Sequence, residues 1–274
     1  MASPSKEGTS NLAVRLATAV VATPLLLGLL YLGPAWGFFA LVLVIALIGT
    51  WELFTLTHGD DTAARLVGLL LAAAASSAVF FGGHRLLLTV LVTVPMAGPL
   101  VTLWRLRDVP TAALRACAMS FGPLFVALPL TWLALLRRDE GPGFVVLAIL
   151  FAWLADTGGY FAGRLLGKHK LYEAVSPKKT IEGAIGGLGG AMLGALLSSL
   201  WFLPSLPLSH SIPLALVAGA LGQAGDLGES LFKRSMGVKD SGAIVPGHGG
   251  ILDRVDALIY TSSTVYLYTL WIRP

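Results

Sequence analysis

The chain repeatedly presents runs of about 20 mostly apolar residues, separated by short polar breaks. A helix of roughly 20 residues crosses the hydrocarbon core of a bilayer, where every backbone polar group must be satisfied within the helix itself. The pattern therefore predicts an all-α, polytopic integral membrane protein with nine transmembrane helices. The predicted spans are 11–31, 36–56, 63–82, 86–104, 117–136, 144–166, 181–203, 212–232 and 251–272.

Composition supports the membrane as the solvent of this chain. Of its 274 residues 55% are hydrophobic and 12% charged, whereas soluble domains carry roughly 25% charged residues. A soluble globule and a disordered chain are both disfavoured, since disorder requires low hydrophobicity and high charge. We expect the lipid bilayer, and no nucleic acid, as a partner. The single cysteine, Cys117, excludes an intrachain disulfide and implies no oxidising compartment.

The positive charges indicate the orientation, because cytoplasmic loops retain Lys and Arg. With nine spans, 15 of the 19 Lys and Arg residues fall on the side of the N-terminus and 4 on the other side. The first run is longer than the apolar core of a signal peptide, so we interpret it as a retained span. We expect a protein of the cell (inner) membrane whose N-terminus and active site are cytoplasmic and whose C-terminus is outside.

Polar residues divide the chain into two parts. Residues 1–140, with spans one to five, are apolar and are predicted to form a scaffold, whereas residues 141–274, with spans six to nine, are predicted to be catalytic. Cytosolic loops are expected at 167–180 and 233–250. Charged residues inside spans mark functional sites by default, and they begin at Asp156.

The seventh span is rich in glycines spaced four residues apart, as in Gly186 and Gly190. Small residues at this spacing let two helix backbones approach closely in lipid. The spacing favours tight helix packing around a polar centre over direct contact with a ligand.

The eighth span carries a polar stripe, since Asp226, Ser230 and Lys233 share one helical face. A carboxylate at membrane depth costs at least ~2.5 kcal/mol, so Asp226 must meet a cation, a metal ion or water. An internal salt bridge to Lys233 or Arg254 and a functional site are both compatible with the stripe.

The segment that follows concentrates acidic and basic residues before the ninth span. Asp253 and Asp256 are one helical turn apart, so both can point at one hard cation such as Mg²⁺, which shares its shell with substrate phosphates. The run of residues 247–250, Gly-His-Gly-Gly, precedes a helix whose N-terminus favours anions. Alone this run is typical of an ordinary turn, but the charges on both sides favour a phosphate site.

A second cationic patch is predicted in the loop 167–180 on the same side of the membrane. Ser176, Lys178, Lys179 and Thr180 come directly before the seventh span. They are candidates for phosphate binding at a helix start, and attraction to anionic lipid headgroups is the alternative. Asp156 is a further candidate for substrate or metal contact, or for pairing with Arg164 or Lys178.

Two stretches resemble a known family, the phosphatidate cytidylyltransferases, or CDP-diacylglycerol synthases. Residues 230–256 read S-x-F-K-R-x4-K-D-x-G-x3-P-G-H-G-G-I-x-D-R-V-D, which resembles the C-terminal signature of that family. Residues 153–170, W-L-A-D-T-G-G-Y-F-A-G-R-L-L-G-K-H-K, followed by V-S-P-K-K-T, resemble it as well. Val245 is a mild departure, since a larger aliphatic residue is expected there. Upstream of residue 153 only the hydrophobic pattern agrees.

The resemblance implies that CTP and phosphatidic acid react to CDP-diacylglycerol and pyrophosphate with Mg²⁺, in a membrane homodimer. It leaves open whether a monovalent cation assists Mg²⁺. The implied metal ligands are Asp226, Asp253 and Asp256. The implied catalytic residues are Asp226, Lys233, Arg234, Lys239, Asp240, His248, Asp253 and Arg254. Together with the residue patterns above, it leaves as candidate substrate-binding residues Asp156, Ser176, Lys178, Lys179, Thr180, Ser230, Gly249 and Gly250.

Two other enzyme or carrier classes remain compatible with buried carboxylates. A transporter would show paired interrupted spans in both halves, and the N-terminal half shows none. A CTP-dependent polyprenol or phytol kinase would use similar nucleotide chemistry but would release CDP instead of pyrophosphate. A structural scaffold has no reason to bury so many charges, and the D-x2-D-G-x2-A-R run of CDP-alcohol phosphotransferases is absent.

Overall fold

The computed structural model describes residues 23–242 and 249–273. The described part of α1 covers residues 23–31. The other helices are α2 (Ala35–His58), α3 (Thr62–Trp104), α4 (Val109–Gly122), α5 (Leu128–Leu135), α6 (Pro142–Leu166), α7 (Ile181–Leu197), α8 (Leu208–Ser235) and α9 (Leu252–Trp271). One antiparallel hairpin pairs β1 (Lys170–Tyr172) with β2 (Ser176–Thr180), and π-helical turns occupy Pro123–Ala127, Leu136–Glu140 and Ser198–Phe202.

Six helical segments of the described chain are long and apolar enough to cross a membrane. They are Ala35–His58, Thr62–Gly83, Arg85–Trp104, Val109–Glu140, Pro142–Leu166 and Ile181–Phe202. These segments match predicted spans two to seven. Most of the first predicted span lies outside the described residues. Helices α8 and α9 occupy the eighth and ninth spans but carry charged residues and are not among the six, so the count of nine stays a prediction.

Glycine and proline determine where the spans break and bend. Helix α3 contains two spans, and between them Gly83 has φ 67° and ψ −157°, a backbone region that favours glycine. The fifth span begins at Val109, earlier than the predicted residue 117, because Asp108 caps the helix by accepting the N–H of Thr111 at 2.9 Å. Pro123 then opens a π-helical turn, since proline cannot donate the expected helical hydrogen bond.

Helices α6 and α7 pack backbone against backbone through glycines. A Cβ added to Gly190 would lie 1.9 Å from the carbonyl oxygen of Leu154, and one added to Gly158 would lie 2.3 Å from that of Gly186. Any larger residue at these positions forces the helices apart. The tight packing predicted from the glycine spacing is therefore confirmed.

The segment predicted as a basic loop between α6 and α7 is an ordered hairpin. Glu182, in the first turn of α7, accepts the backbone N–H groups of Lys168 and His169 at 3.1 and 3.2 Å. The Thr180 hydroxyl accepts the N–H of Gly183 at 3.1 Å and caps α7. This hairpin is the departure from the predicted all-α fold, and it holds Lys178 and Lys179 beside the helix start.

Candidate functional site

A cavity of about 420 Å³ lies among α6, the hairpin, α7 and α8. Its polar lining includes Asp156, Tyr160 and Arg164 from α6, Lys178, Lys179 and Thr180 from the hairpin, and Gln223 and Asp226 from α8. The glycine-packed face of α7 allows α6 and α8 to approach on either side of it. The structure thus brings together five residues predicted separately in three segments, namely Asp156, Lys178, Lys179, Thr180 and Asp226.

Opposite charges meet across this cavity. The Lys179 Nζ lies 2.6 Å from the Asp226 carboxylate. This partner differs from Lys233 and Arg254, the two suggested for Asp226 by sequence. Asp156 interacts electrostatically with Asp226, Lys179 and Arg254. Its expected pairing with Arg164 or Lys178 is not among the ion pairs of the described chain, and Arg164 instead donates to the Tyr160 hydroxyl at 2.7 Å.

Asp256, in the first turns of α9, is a third carboxylate that interacts with these charged side chains. It interacts electrostatically with Asp226, Glu229 and Asp156. Such mutual repulsion between carboxylates is relieved by a cation. The carboxylates of Asp156, Asp226 and Asp256 therefore influence one another at the α8 side of the cavity, next to the cationic hairpin.

Asp253 makes contacts that the sequence interpretation did not include. Its carboxylate pairs with Lys233 and accepts hydrogen bonds from Ser241 N at 3.0 Å, Ser241 Oγ at 2.9 Å and Gly250 N at 3.1 Å. Lys233 also lies 2.5 Å from Glu229. Within residues 23–242 and 249–273, no group of three His, Cys, Asp or Glu side chains is arranged to hold a metal ion. The predicted grouping of Asp226, Asp253 and Asp256 around one ion is thus not present there.

Glu52 is a site residue that the sequence interpretation missed. It lies on α2, is 2% exposed, and accepts Ile251 N at 3.0 Å, Leu252 N at 2.8 Å and Ser241 Oγ at 3.2 Å. Its carboxylate thereby caps the start of α9 and fixes the segment before it. An acidic residue inside the apolar run 36–56 was the available signal, because intramembrane carboxylates are rarely without a function.

The glycines before α9 fit around these two carboxylates. A Cβ on Gly250 would lie 2.0 Å from Ser241 Oγ and 2.7 Å from Glu52 Oε2, and Gly249 has φ +82°. The Gly250 N–H, predicted to face a phosphate, donates to Asp253 instead. The requirement for glycine here comes from close packing and backbone conformation.

The remaining predicted residues differ in burial and in their contacts. Ser230 is buried in α8, Thr180 caps α7, and Ser176 begins β2. Arg234 is exposed and donates to the Val238 carbonyl at 2.9 Å. Lys239, Asp240 and Arg254 are exposed, whereas His248 and Val245 lie outside the described residues.

Comparison with known proteins shows the family of this chain. The model of the cytidylyltransferase family matches residues 13–272. A phosphatidate cytidylyltransferase of Brucella suis biovar 1 (strain 1330) is 39% identical over 264 residues, covering 94% of this chain and 93% of its own. The proteins of the same name from Staphylococcus aureus (strain COL) and Staphylococcus epidermidis (strain ATCC 12228 / FDA PCI 1200) are 48% and 47% identical, over 45% of this chain and 47% of their own. The chain is an integral membrane nucleotidyltransferase and belongs to the cytidylyltransferase family.

Proposed function

We propose that this protein is a phosphatidate cytidylyltransferase, which converts CTP and phosphatidic acid to CDP-diacylglycerol and pyrophosphate. The name of the Brucella suis relative, which is similar over nearly the whole chain, supports this activity. The observation that carries it is the cavity in which Lys178 and Lys179 face Asp156 and Asp226. Both substrates are anions, and one of them is a lipid, so a charged cavity among apolar helices suits both.

The reaction requires no general base from the protein. A phosphate monoester has a second pKa of about 6, so most phosphatidate is a nucleophilic dianion at neutral pH. Its oxygen attacks the α-phosphorus of CTP, forming a new P–O bond, while the bond to the β-phosphate breaks and pyrophosphate leaves. The protein must align two anions and neutralise charge as the leaving group departs.

The cationic hairpin provides this neutralisation. Lys178 is exposed at the cavity, while Lys179 is partly buried against Asp226. We assign both to nucleotide or phosphatidate phosphates, with Arg164 as a third cation of the lining. In the absence of phosphate, Asp226 keeps Lys179 aimed into the cavity. Phosphate binding would then exchange one ionic partner of Lys179 for another.

Asp156 and Asp226 line the cavity, and Asp256 interacts electrostatically with both of them. These carboxylates fit a divalent cation, and we propose Mg²⁺. Asp226 and Asp256 would hold it, with Asp156 beside them, because Mg²⁺ prefers oxygen ligands and needs only one or two carboxylates when phosphates complete its shell. When bound, Mg²⁺ supplies charge stabilisation on the phosphates. Asp253, already occupied by Lys233, Ser241 and Gly250, serves to hold the segment that precedes α9.

The proposal also covers the orientation of the protein in the membrane and its assembly into a homodimer. The excess of Lys and Arg on one side supports a cytoplasmic active site and N-terminus in the inner membrane. The family resemblance of residues 153–256 supports a homodimer. Cross-linking in native membranes and accessibility of a cysteine introduced at the hairpin would test these two points separately.

The activity is tested with the purified full-length protein in detergent, CTP labelled at the α-phosphate, and phosphatidic acid. We expect CDP-diacylglycerol and pyrophosphate to form and EDTA to stop the reaction. Release of CDP with a phosphorylated lipid alcohol would instead identify a kinase.

Substitutions in the cavity test the site. Asp226→Asn should lower kcat by about 100-fold or more, the usual scale for loss of one electrostatic contribution in an active site, because Asp226 is assigned to hold the metal ion and Lys179. Lys178→Ala should raise KM for one of the anionic substrates. Glu173→Gln, which changes an exposed carboxylate in the turn of the hairpin, is the matched control. A folded Asp226→Asn variant with the turnover of the control would refute the assignment.

A further inference from the structure

A second charged cluster lies where α2 meets α3 and where α3 meets α4. Asp61, 1% exposed, lies 3.2 Å from Arg105 Nη2, 3.4 Å from Arg107 Nε and 3.3 Å from Arg115 Nη2. We call Arg105, Arg107 and Arg115 the arginine cluster. It shares no lining residue with the cavity of Asp156 and Asp226.

The arginine cluster has more positive charge than its acidic partners compensate. In the described part of the chain, those partners are Asp61 and, at 4.0 Å from Arg115 Nη1, Asp108. Arg115 is 4% exposed, and its Nε and Nη1 have no hydrogen-bond partner among the described atoms. Burial of a cation with unsatisfied donors is costly. A further anion at this position would relieve the imbalance.

Two members of the cluster, Arg107 and Arg115, line a polar pocket of about 340 Å³. The rest of its polar lining comes from Thr57, His58, Thr111 and Asp108, whose carboxylate accepts hydrogen bonds from Thr111 and lies 4.0 Å from Arg115 Nη1. An anion in this pocket would meet guanidinium groups, which suit the geometry of phosphate oxygens.

The polar pocket continues into an apolar groove of about 440 Å³, since Leu56, Thr57 and Leu114 line both. The rest of the groove is lined mainly by apolar side chains from α2, α4 and α8, among them Leu53, Phe121 and Phe232. A ligand that fills both spaces has an anionic head and a long apolar tail.

We propose that the polar pocket and the apolar groove bind an anionic phospholipid, with its phosphate at the arginine cluster and an acyl chain along the groove. The site is separate from the cavity assigned to cytidylyl transfer and does not depend on that assignment. The negative charge of the cytoplasmic leaflet would concentrate such lipids near these arginines. A zwitterionic lipid has the same tail but compensates its own phosphate charge, so it should bind more weakly.

Cys117 provides a reporter, because it is exposed, lines the groove and is the only cysteine of the chain. The experiment measures the rate of maleimide labelling of the full-length protein in detergent with dioleoyl phosphatidylglycerol or dioleoyl phosphatidylcholine. A lipid at ten times its dissociation constant should slow labelling by about tenfold through simple occupancy. We expect this protection with phosphatidylglycerol and much less with phosphatidylcholine.

Arg107→Ala tests the phosphate contact. Arg107 is half-exposed, and Asp61 remains paired with Arg105 and Arg115 when the Arg107 side chain is removed. Protection by phosphatidylglycerol should fall several-fold in this variant, and Arg107→Lys should restore part of it. Lys168→Ala removes an exposed cation elsewhere on the chain. In this control variant, phosphatidylglycerol should protect Cys117 as strongly as in the wild type. Equal protection by both lipids, or undiminished protection in a folded Arg107→Ala variant, would overturn the proposal. Equal protection by glycerol phosphate, which lacks acyl chains, would overturn it as well.

Discussion

Replacing Glu52 by glutamine tests whether a carboxylate on α2 holds the start of α9 in place. In the wild type, one carboxylate oxygen accepts Ile251 N–H, and the other accepts Leu252 N–H and the Ser241 hydroxyl. Glutamine has a single oxygen, and its NH₂ group would face a donor at the other position. The substitution preserves shape, removes the charge and one acceptor oxygen, and introduces an NH₂ donor.

The expected loss can be estimated from these three contacts. If the amide oxygen keeps Leu252 and Ser241, the Ile251 N–H loses its acceptor, which costs about 1–3 kcal/mol when buried. The two retained bonds change from charged to neutral, and each weakens by about 0.5–1 kcal/mol. A total of about 2–5 kcal/mol corresponds to a fall of roughly 4–20 °C in the apparent Tm, at about 2–4 °C per kcal/mol for domains of this size.

The assay compares thermal unfolding in detergent and the rate of CDP-diacylglycerol formation. Rates are measured well below the lower Tm, so that both proteins stay folded. We expect kcat to fall, because Glu52 fixes the segment that positions Asp253 and, one turn later, Asp256. Glu173→Gln removes an exposed glutamate charge and should leave both quantities unchanged. Indistinguishable Tm and kcat values for the two variants would show that the Glu52 contacts do not support the site.

Two further substitutions test the packing and the charged loop junction. Gly190→Ala should lower the stability by about 1–3 kcal/mol through overpacking, since its Cβ would meet the Leu154 carbonyl oxygen, whereas Gly189→Ala, with no described atom within 4 Å of its added Cβ, should be nearly neutral. Melting curves that coincide for these two variants would contradict the close α6–α7 contact. Asp61→Asn should cost about 3 kcal/mol, the lower end for breaking a buried ion pair, because two of its arginines are partly exposed. Burial raises the pKa of Asp61, but hydrogen bonds from Ala64 N–H and Arg105, together with nearby arginine charges, lower it below 3.8 overall. The ionised Asp61 therefore stabilises the folded protein at neutral pH. This contribution to the free energy of unfolding is lost as the pH falls from 3.8 through the lowered pKa of the folded state. An acid unfolding profile of Asp61→Asn parallel to that of the wild type would contradict this reasoning.

Local features of the sequence were sufficient to predict much of the helical framework. Spans two to seven follow from the length of each apolar run, because the bilayer thickness imposes that length on each helix independently. The contact of α6 with α7 follows from the spacing of glycines such as Gly186 and Gly190.

The partners of the charged side chains depended on the tertiary structure. Asp226 lies near Lys233 in sequence, yet its ionic partner is Lys179 of the hairpin. Asp253, predicted to bind metal with Asp226 and Asp256, pairs in the structure with Lys233 and accepts hydrogen bonds from Ser241 and Gly250. Sequence spacing constrains which residues share a helical face, but it does not specify which other helix that face meets.

Glu52 shows the physical reason most directly. By itself the sequence determined a chain of apolar helices with charged residues collected at one end, because hydropathy is a property of each segment. Only the tertiary structure decided that a carboxylate on α2 accepts backbone N–H groups at the start of α9, 199 and 200 positions away along the chain. Electrostatic and hydrogen-bond energies depend on distances between atoms, and those distances exist only after the helices have packed.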